Sequence, residues 1–244
     1  MDHPAGAIGV VMLVPSPRHT PADLEMWAAL AAADALRAKL PVHARRVQRS
    51  LDAIRRFVAD HPDTWVGVSI GKDSLVAADL ALSLHPGIRL RKMVLTRAPD
   101  QPGTRETRDL FLAAHPGVDY DEFETDAADG LAAMSRWMGD APRITGVRGD
   151  ESVNRRLSAR VHGVATDRSC RPLLHWSADD VFAYSCAGGL PVHPVYAMTL
   201  GGRLARRHLR VHALGGPEGV ELGRREWERC YFPELLVTER LLRS

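Results

Sequence analysis

Apolar residues recur at helical spacing through residues 21–60. From Trp65 onward they give way to short β-rich runs alternating with helical ones. Residues 21–38 (PADLEMWAALAAADALRA) predict a helix, with Thr20 as N-cap and Pro21 at the first helical position. A second helix is predicted over about 42–60, with Val47, Leu51, Ile54 and Phe57 on one stripe, and His61-Pro62-Asp63 ends it. Residues 65–70 read as a buried strand, and 72–84 as a helix with Leu75, Val76, Leu80 and Leu82 apolar. A strand at about 90–96, a loop over 97–103 and a helix at about 104–114 follow. A strand near 118–123, a helix at about 126–138 and a strand at 143–147 complete the alternation.

Strands alternating with helices predict an α/β fold, a parallel twisted sheet with helices on both faces. From about 171 the pattern changes to helical runs at 177–187 and 221–230, separated by loops rich in Gly, Pro, His and Arg. These read as a C-terminal helical and loop subregion laid over the sheet's edge. The expected organisation is therefore an N-terminal helical segment (1–60) packed on the core, a nucleotide-binding α/β domain (61–200), and a C-terminal basic loop and helix (201–244).

Composition narrows the setting more than the chemistry. A chain of 244 residues, 45% hydrophobic and 25% charged, suits one globular domain with a small appendage. A net charge of +2 argues against a dedicated nucleic-acid coat. The three cysteines, Cys170, Cys186 and Cys230, include no Cys-x-x-Cys pair and give no disulfide framework, which fits a reducing compartment. The apolar run at 8–14 follows Asp2 and His3 where a secretory signal would be basic, and it is too short to span a bilayer. The expectation is a cytoplasmic protein with no membrane partner.

The segment WVGVSIGKDSLVAADLAL places Ser69, Ile70, Gly71, Lys72, Asp73 and Ser74 between a strand and a helix. Backbone N–H groups in such a turn, the helix dipole and small side chains make an anion site. Gly71 is expected to supply a conformation that a Cβ would resist; Lys72 adds a charge and the two hydroxyls can donate. The spacing is not that of a Walker A loop. The loop resembles the PP-loop (Ser-Gly-Gly-x-Asp-Ser) of N-type ATP pyrophosphatases and phosphoadenosine phosphosulfate (PAPS) reductases, with Ile70 where a glycine is common.

Two further segments extend that resemblance. Gly146-Val-Arg148-Gly-Asp-Glu151-Ser152-Val-Asn-Arg155 resembles the PAPS reductase Gly-x-Arg-x-x-Glu-Ser-x-x-Arg segment, at a strand end where α/β ligands bind. Arg148 and Arg155 are candidates to grip phosphate or sulfate, Glu151 to orient one of them, and Arg156 and Arg160 to lie on a solvated face. Residues 171–196 (RPLLHWSADDV, then LPVHPVY) resemble the family's Pro-Leu-x-x-Trp-Ser-x-x-Asp-Val and Leu-Pro-x-x-Pro-x-Tyr. Here Ser177 and Asp180 approximate a capping box, Trp176 precedes it as a staple, and Tyr196 is assigned to the core.

The three motifs span residues 65–196 and mark the chain as similar to the PAPS reductase-like branch of the adenine nucleotide α-hydrolase superfamily. That resemblance implies adenine held by backbone groups near Val68 and Leu95. The acidic residue the family often carries after its second strand is Thr96 in this chain. Sulfate reduction in the family uses a cysteine in Glu-Cys-Gly-(Ile/Leu)-His, and no such segment is present. Cys230, in a predicted amphipathic helix with Leu222 and Trp227, reads as a buried structural thiol. Three scattered cysteines cannot hold an iron–sulfur cluster. A zinc site from Cys170, His175, Cys186 and His193 has irregular spacing.

What remains is nucleotide chemistry. ATP is expected to bind with Mg²⁺, for which Asp73 is a possible ligand, and to be cleaved between the α and β phosphates. The product would be an adenylated acceptor, used in sulfur or amine transfer or kept as a nucleotide adduct as in FAD synthesis. Asp73, Lys72, Arg148 and Arg155 are the candidate catalytic residues, and Val68, Ser69 to Ser74, Leu95, Gly146 and Arg148 the candidate nucleotide contacts. The alternatives are a PAPS or APS reductase, or a sulfotransferase-like enzyme, with a non-standard thiol, and a non-catalytic nucleotide-binding module. The acceptor is a small molecule or a nucleic acid. Segment 203–212 (RLARRHLRVH), read as a solvated basic helix, is the surface a nucleic acid would use. Helices 21–60 are expected to cover the sheet or to form a homodimer contact.

Overall fold

The computed structural model describes residues 12–96, 100–126, 130–211 and 224–234. Its elements, in chain order, are β1 (Met12–Leu13), α1 (Pro21–Ala38), α2 (Pro41–Asp60), β2 (Trp65–Val68), α3 (Lys72–Leu84), β3 (Arg89–Leu95), α4 (Thr104–Ala114) and β4 (Tyr120–Thr125). They continue with α5 (Gly130–Trp137), β5 (Arg143–Thr145), α6 (Val153–His162), β6 (Ala165–Thr166), β7 (Ser169–Cys170), α7 (Ala178–Gly188), β8 (Pro191–Val192) and α8 (Arg224–Tyr231). The six-stranded sheet runs β4-β3-β2-β5-β7-β6 and is parallel except for the closing β6–β7 pair. β1 and β8 form a separate parallel pair.

Alternation along each strand separates the two faces. Val66, Val68, Leu90 and Ile144 point to the side where α2, α3 and α7 pack, in one core with Ile54, Phe57, Leu75, Val76 and Trp176. Gly67, Arg91, Met93 and Thr145 point to the other, which α5 covers chiefly over β3 and β4. The order reverses between β2 and β5. The chain runs outward through β3 and β4, then returns by α5 to the free side of β2. In open α/β sheets that switch point opens a crevice at the strands' C-terminal ends.

The N-terminal helices cover the core, one of the two expected roles. α1 begins with the expected cap: the Thr20 hydroxyl accepts from Asp23 N–H while the Asp23 carboxylate accepts from Thr20 N–H. Asp23 is fully buried and also accepts from Thr199 N–H, Gly201 N–H and the Tyr231 hydroxyl, tying α1 to the 199–201 turn and to α8. A second core lies here, from Trp27, Phe182, Val195, Tyr196, Trp227 and Tyr231.

Several boundaries differ from the sequence reading. The first sheet strand stops at Val68, because Ile70 turns into the left-handed region with φ 58°. The strand expected at 118–123 is Tyr120–Thr125, and helix 177–187 is Ala178–Gly188 behind a complete Ser177–Asp180 capping box. Residues 8–11, 97–99, 127–129, 212 and 221–223 of the expected elements lie outside the described residues. The basic stretch is not a solvated helix. Only Arg206–His208 forms a single 3-10 turn, and Arg206 is buried in a two-pronged pair with Asp34 (2.7 and 2.6 Å). No described helix is long and apolar enough to cross a membrane.

Buried carboxylates make this fold acid-sensitive. Burial alone would raise the Asp23 carboxyl, but hydrogen bonds from Gly201, Thr20 and Tyr231 outweigh it and hold it below its ordinary value. Burial is likewise outweighed at Asp180, where His43, Ser177 and Arg46 pull the carboxyl far down. A folded-state value below the unfolded one contributes stability above the unfolded value, about 3.9 for aspartate, and loses it as pH falls further. The urea midpoint is therefore expected to fall on acidification from about pH 6.5, where burial keeps the His193 imidazole neutral with its value pushed down to about 3, and to fall more steeply below about 4 as the carboxylates titrate. Asp180→Asn should flatten that acid limb while lowering the midpoint at pH 7.

Candidate functional site

The switch-point crevice is a cleft of about 320 Å³. Its wall at the strand ends is loop 69–74, built by local hydrogen bonds. Ser69 N–H donates to the Ser74 hydroxyl (3.0 Å), which donates to the Gly71 carbonyl (2.9 Å). The amides of α3's first turn have no intrahelical acceptor and face this end of the sheet. The conformational exception is Ile70, not Gly71. Gly71 is extended (φ −89°), and its missing side chain matters for space, since a Cβ would stand 3.2 Å from the Tyr196 hydroxyl. A β-branched residue in the left-handed region costs about 1–2 kcal/mol. Ile70 is 1% exposed within the main core, and burying such a side chain contributes about 1.5–3 kcal/mol. Burial wins, and isoleucine holds the turn.

The three motifs meet at this loop. A Cβ on Gly146 would fall 2.5 Å from the Asp73 carbonyl group and 2.7 Å from Ser74 N, so only glycine lets the end of β5 lie against the first turn of α3. Gly149 N–H donates to the Leu174 carbonyl, joining the second motif to the third. The Tyr196 hydroxyl accepts from Lys72 N–H (3.3 Å), joining the third to the first. Tyr196 is thus both core, as expected, and part of the cleft lining. Trp176 packs against Tyr184 and His43 and donates to the Ser50 hydroxyl, which fixes the third motif on α2.

Charge is concentrated and mostly paired. Asp73 lies 2.8 Å from Lys72 Nζ and 2.6 Å from Arg148 Nε, the latter without hydrogen-bond alignment. Arg148 also meets Asp150 (2.6 Å) and approaches Glu151 (3.9 Å), and Glu151 pairs with Arg155. Burial pushes the Lys72 ammonium below its ordinary range against the opposing pull of Asp73, and its Nζ sits 4.9 Å above the Tyr196 ring.

Of the residues singled out in the sequence, Val68, Ser69, Gly71, Lys72, Asp73, Ser74, Gly146, Glu151 and Arg155 line the cleft. Three do not. Ile70 faces the core, and Arg148 is 2% exposed behind the wall, committed to three carboxylates, so it organises Asp73 instead of gripping a ligand. Leu95 lines a separate groove with Thr96, Asp100, Glu122 and Glu124. Strand alternation puts Leu95 on the same face as Arg91 and Met93, but it stands at the far end of β3, against the start of α5 at Gly130, outside the cleft. Arg156 and Arg160 are exposed, as expected.

The sequence reading missed Arg210, Val211, Arg143, Thr145, Met93 and Met134 as cleft residues. Only the run of basic residues around Arg210 offered a signal. Cys230 is exposed on α8, not buried, because Trp227 and Tyr231 take the inward positions; burial of its flank and the Asp23 and Glu226 carboxylates push its thiol up. Cys170 and Cys186 are buried, burial pushing Cys170 up to about 12, and no cysteine lines the cleft.

No protein-family model matches this chain, and no curated protein does. Among solved structures, FMN adenylyltransferase of Candida glabrata, in complex with ATP, is similar at a TM-score of 0.40 and 10% identity. The match covers 68% of this chain and 65% of that one, so the chain spans less than two thirds of that protein's length. A likeness this distant assigns nothing to the cleft.

Two substitutions separate backbone space from backbone angle. Gly146→Ala should displace the first turn of α3 and abolish tight anion binding at the loop, read by phosphate or nucleotide titration. Ile70→Gly relieves the left-handed strain but empties a core position. It should cost about 1–2 kcal/mol in urea denaturation, with little change in anion affinity.

Proposed function

We propose that this protein binds ATP with its polyphosphate on loop 69–74 and transfers the adenylyl group to an acceptor, releasing pyrophosphate. The observation that carries this reading is the convergence of three motifs on one anion cradle whose lining includes Lys72, Arg155 and Arg210 but no thiol. In the reading, the loop amides and Lys72 hold the β and γ phosphates, and Arg210 neutralises charge at the mouth. An acceptor oxygen attacks the α-phosphorus, the bond to the bridging oxygen breaks, and pyrophosphate leaves with the electron pair. Any proton on the attacking oxygen passes to Glu151, a carboxylate of the cleft wall. Arg148 keeps Asp73 oriented and its charge balanced.

The described residues contain no cluster of three His, Cys, Asp or Glu side chains that could hold a metal ion. Asp73 is already shared between two cations. The donor set therefore fits Mg²⁺ carried in by the nucleotide phosphates better than a preformed protein site. The reductase reading has less support, since Cys230 lies off the cleft with its thiol raised, and thiolate is the reactive form.

The test is incubation with α-labelled ATP, Mg²⁺ and a panel of acceptors, scoring labelled adduct and pyrophosphate. Lys72→Ala is expected to weaken ATP binding by about ten- to a hundredfold, the loss of one charge-assisted contact. ATP affinity should also fall as pH rises through a value below the ordinary lysine range, because burial has lowered the Lys72 ammonium. Absence of ATP binding at millimolar concentration, or PAPS binding far tighter than ATP, would refute the reading.

A further inference from the structure

The cleft does not end at the phosphate loop. It continues along the sheet face that α5 leaves open, over Gly67 and Thr145 and between Met93, Met134 and Trp65, to Arg143 at the start of β5. Gly146 is three steps along the strand from Arg143, so this arm runs about 10 Å down the sheet at the rise of a strand. Its walls are mostly apolar, and Gly67 adds no side chain to its floor, where the Trp65 ring stands 3.5 Å from the place a Cβ would take.

The cations of the lining divide cleanly. Lys72 is paired with Asp73, Arg91 with Asp119 and Arg155 with Glu151. Among the described residues Arg143 and Arg210 meet no carboxylate; Arg143 donates only to the Ser135 hydroxyl (3.1 Å). One unneutralised guanidinium thus stands at each end of the cleft. Between them the Thr145 hydroxyl is buried with no hydrogen-bond partner among the described residues, although buried polar atoms are ordinarily satisfied.

We propose that the arm beside α5 is the acceptor subsite. It takes an apolar or aromatic body bearing an anionic group, phosphate or carboxylate, which pairs with Arg143. This rests on the adenylyl-transfer reading, in which Arg210 and the loop hold the nucleotide's phosphates and leave Arg143 for a second anion. A planar body lies on the Gly67–Thr145 floor against the methionines and satisfies the Thr145 hydroxyl with a ring heteroatom. The guanidinium fork then fixes the far end, which sets the reacting oxygen toward the phosphate loop.

The experiment measures binding of phenyl phosphate, benzoate, phenol and benzamide to the full chain by ligand-observed NMR. The nucleotide site is saturated with α,β-methylene-ATP, and ATP affinity is measured separately by calorimetry. The two anionic probes are expected to bind at least tenfold tighter than their neutral partners. Arg143→Gln should erase that preference while changing ATP affinity less than twofold. Arg143→Lys should keep part of it, which guards against a folding defect in the glutamine variant, and Thr145→Val should weaken nicotinate, a further probe whose ring nitrogen can reach that hydroxyl, more than benzoate, whose ring has none. Phenyl phosphate above benzoate supports a phosphorylated acceptor, and the reverse order a carboxylated one. Equal binding of charged and neutral probes, or a preference that survives Arg143→Gln, overturns the subsite. Parallel loss of ATP affinity in Arg143→Gln also overturns it, by assigning Arg143 to the nucleotide. If ATP fails to bind the unaltered protein while the anionic preference persists, the adenylyl-transfer reading falls, and with it the acceptor role, but the anion site stands.

Discussion

The site depends on one carboxylate shared by two buried cations. Lys72 and Arg148 are 3% and 2% exposed, a placement that an ammonium and a guanidinium tolerate only when opposite charge accompanies them. Asp73 touches both, from the first turn of a helix whose dipole also favours its charge. Removing any one of the three leaves an uncompensated charge below the surface. The strand-end loop, the helix start and the arginine after β5 are thus a single electrostatic unit, and Gly146 is what lets them approach closely enough to form it.

That unit is braced from the far side of the molecule by stacked rings. Asp34 on α1 holds Arg206 bidentately, and the Arg206 guanidinium lies 3.9 Å from the Phe182 ring. Phe182 meets Tyr196 edge-on at 5.6 Å, and Tyr196 carries Lys72 over its face and accepts from the Lys72 amide. The basic segment, so conspicuous as charge in the sequence, therefore serves two ends. Arg206 is spent on internal packing, which delivers Arg210, four residues on, to the cleft. A count of positive residues could not tell these two arginines apart, because the difference lies in Asp34, 172 positions away.

Local chemistry was legible where the sequence carries it locally. Thr20, Ser177 and the Pro, Gly and His punctuation marked most helix ends within a residue or two. The period switch at Trp65 announced a parallel sheet, and the Ser-x-Gly-Lys-Asp-Ser spacing marked the loop. What was not legible depends on tertiary register. Leu95 and Met93 belong to one strand and differ by two residues, yet Met93 lines the cleft and Leu95 does not. Arg148 and Arg155 look equivalent as basic residues of one motif, but three carboxylates bury the first while the second stays on the wall. Gly71 looked like the conformational device, whereas Ile70 adopts the unusual angle because the core on its other side holds it there.

The order of the strands finally explains why a cleft exists beside the cradle at all. α3 follows β2 and covers the face that carries Val66 and Val68; α5 arrives on the opposite face but lies over β3 and β4. The strip formed by Gly67 and Thr145 is left between them, at the point where the winding direction reverses. A loop that binds polyphosphate needs only backbone amides and a cation, and such a loop alone would hold an anion without acting on it. An open, largely apolar strip running from that loop to Arg143, which meets no carboxylate among the described residues, adds room for a second molecule in line with the first. The proposed group transfer would require that juxtaposition of two bound species, and the room for it follows from the topology before any catalytic side chain is considered.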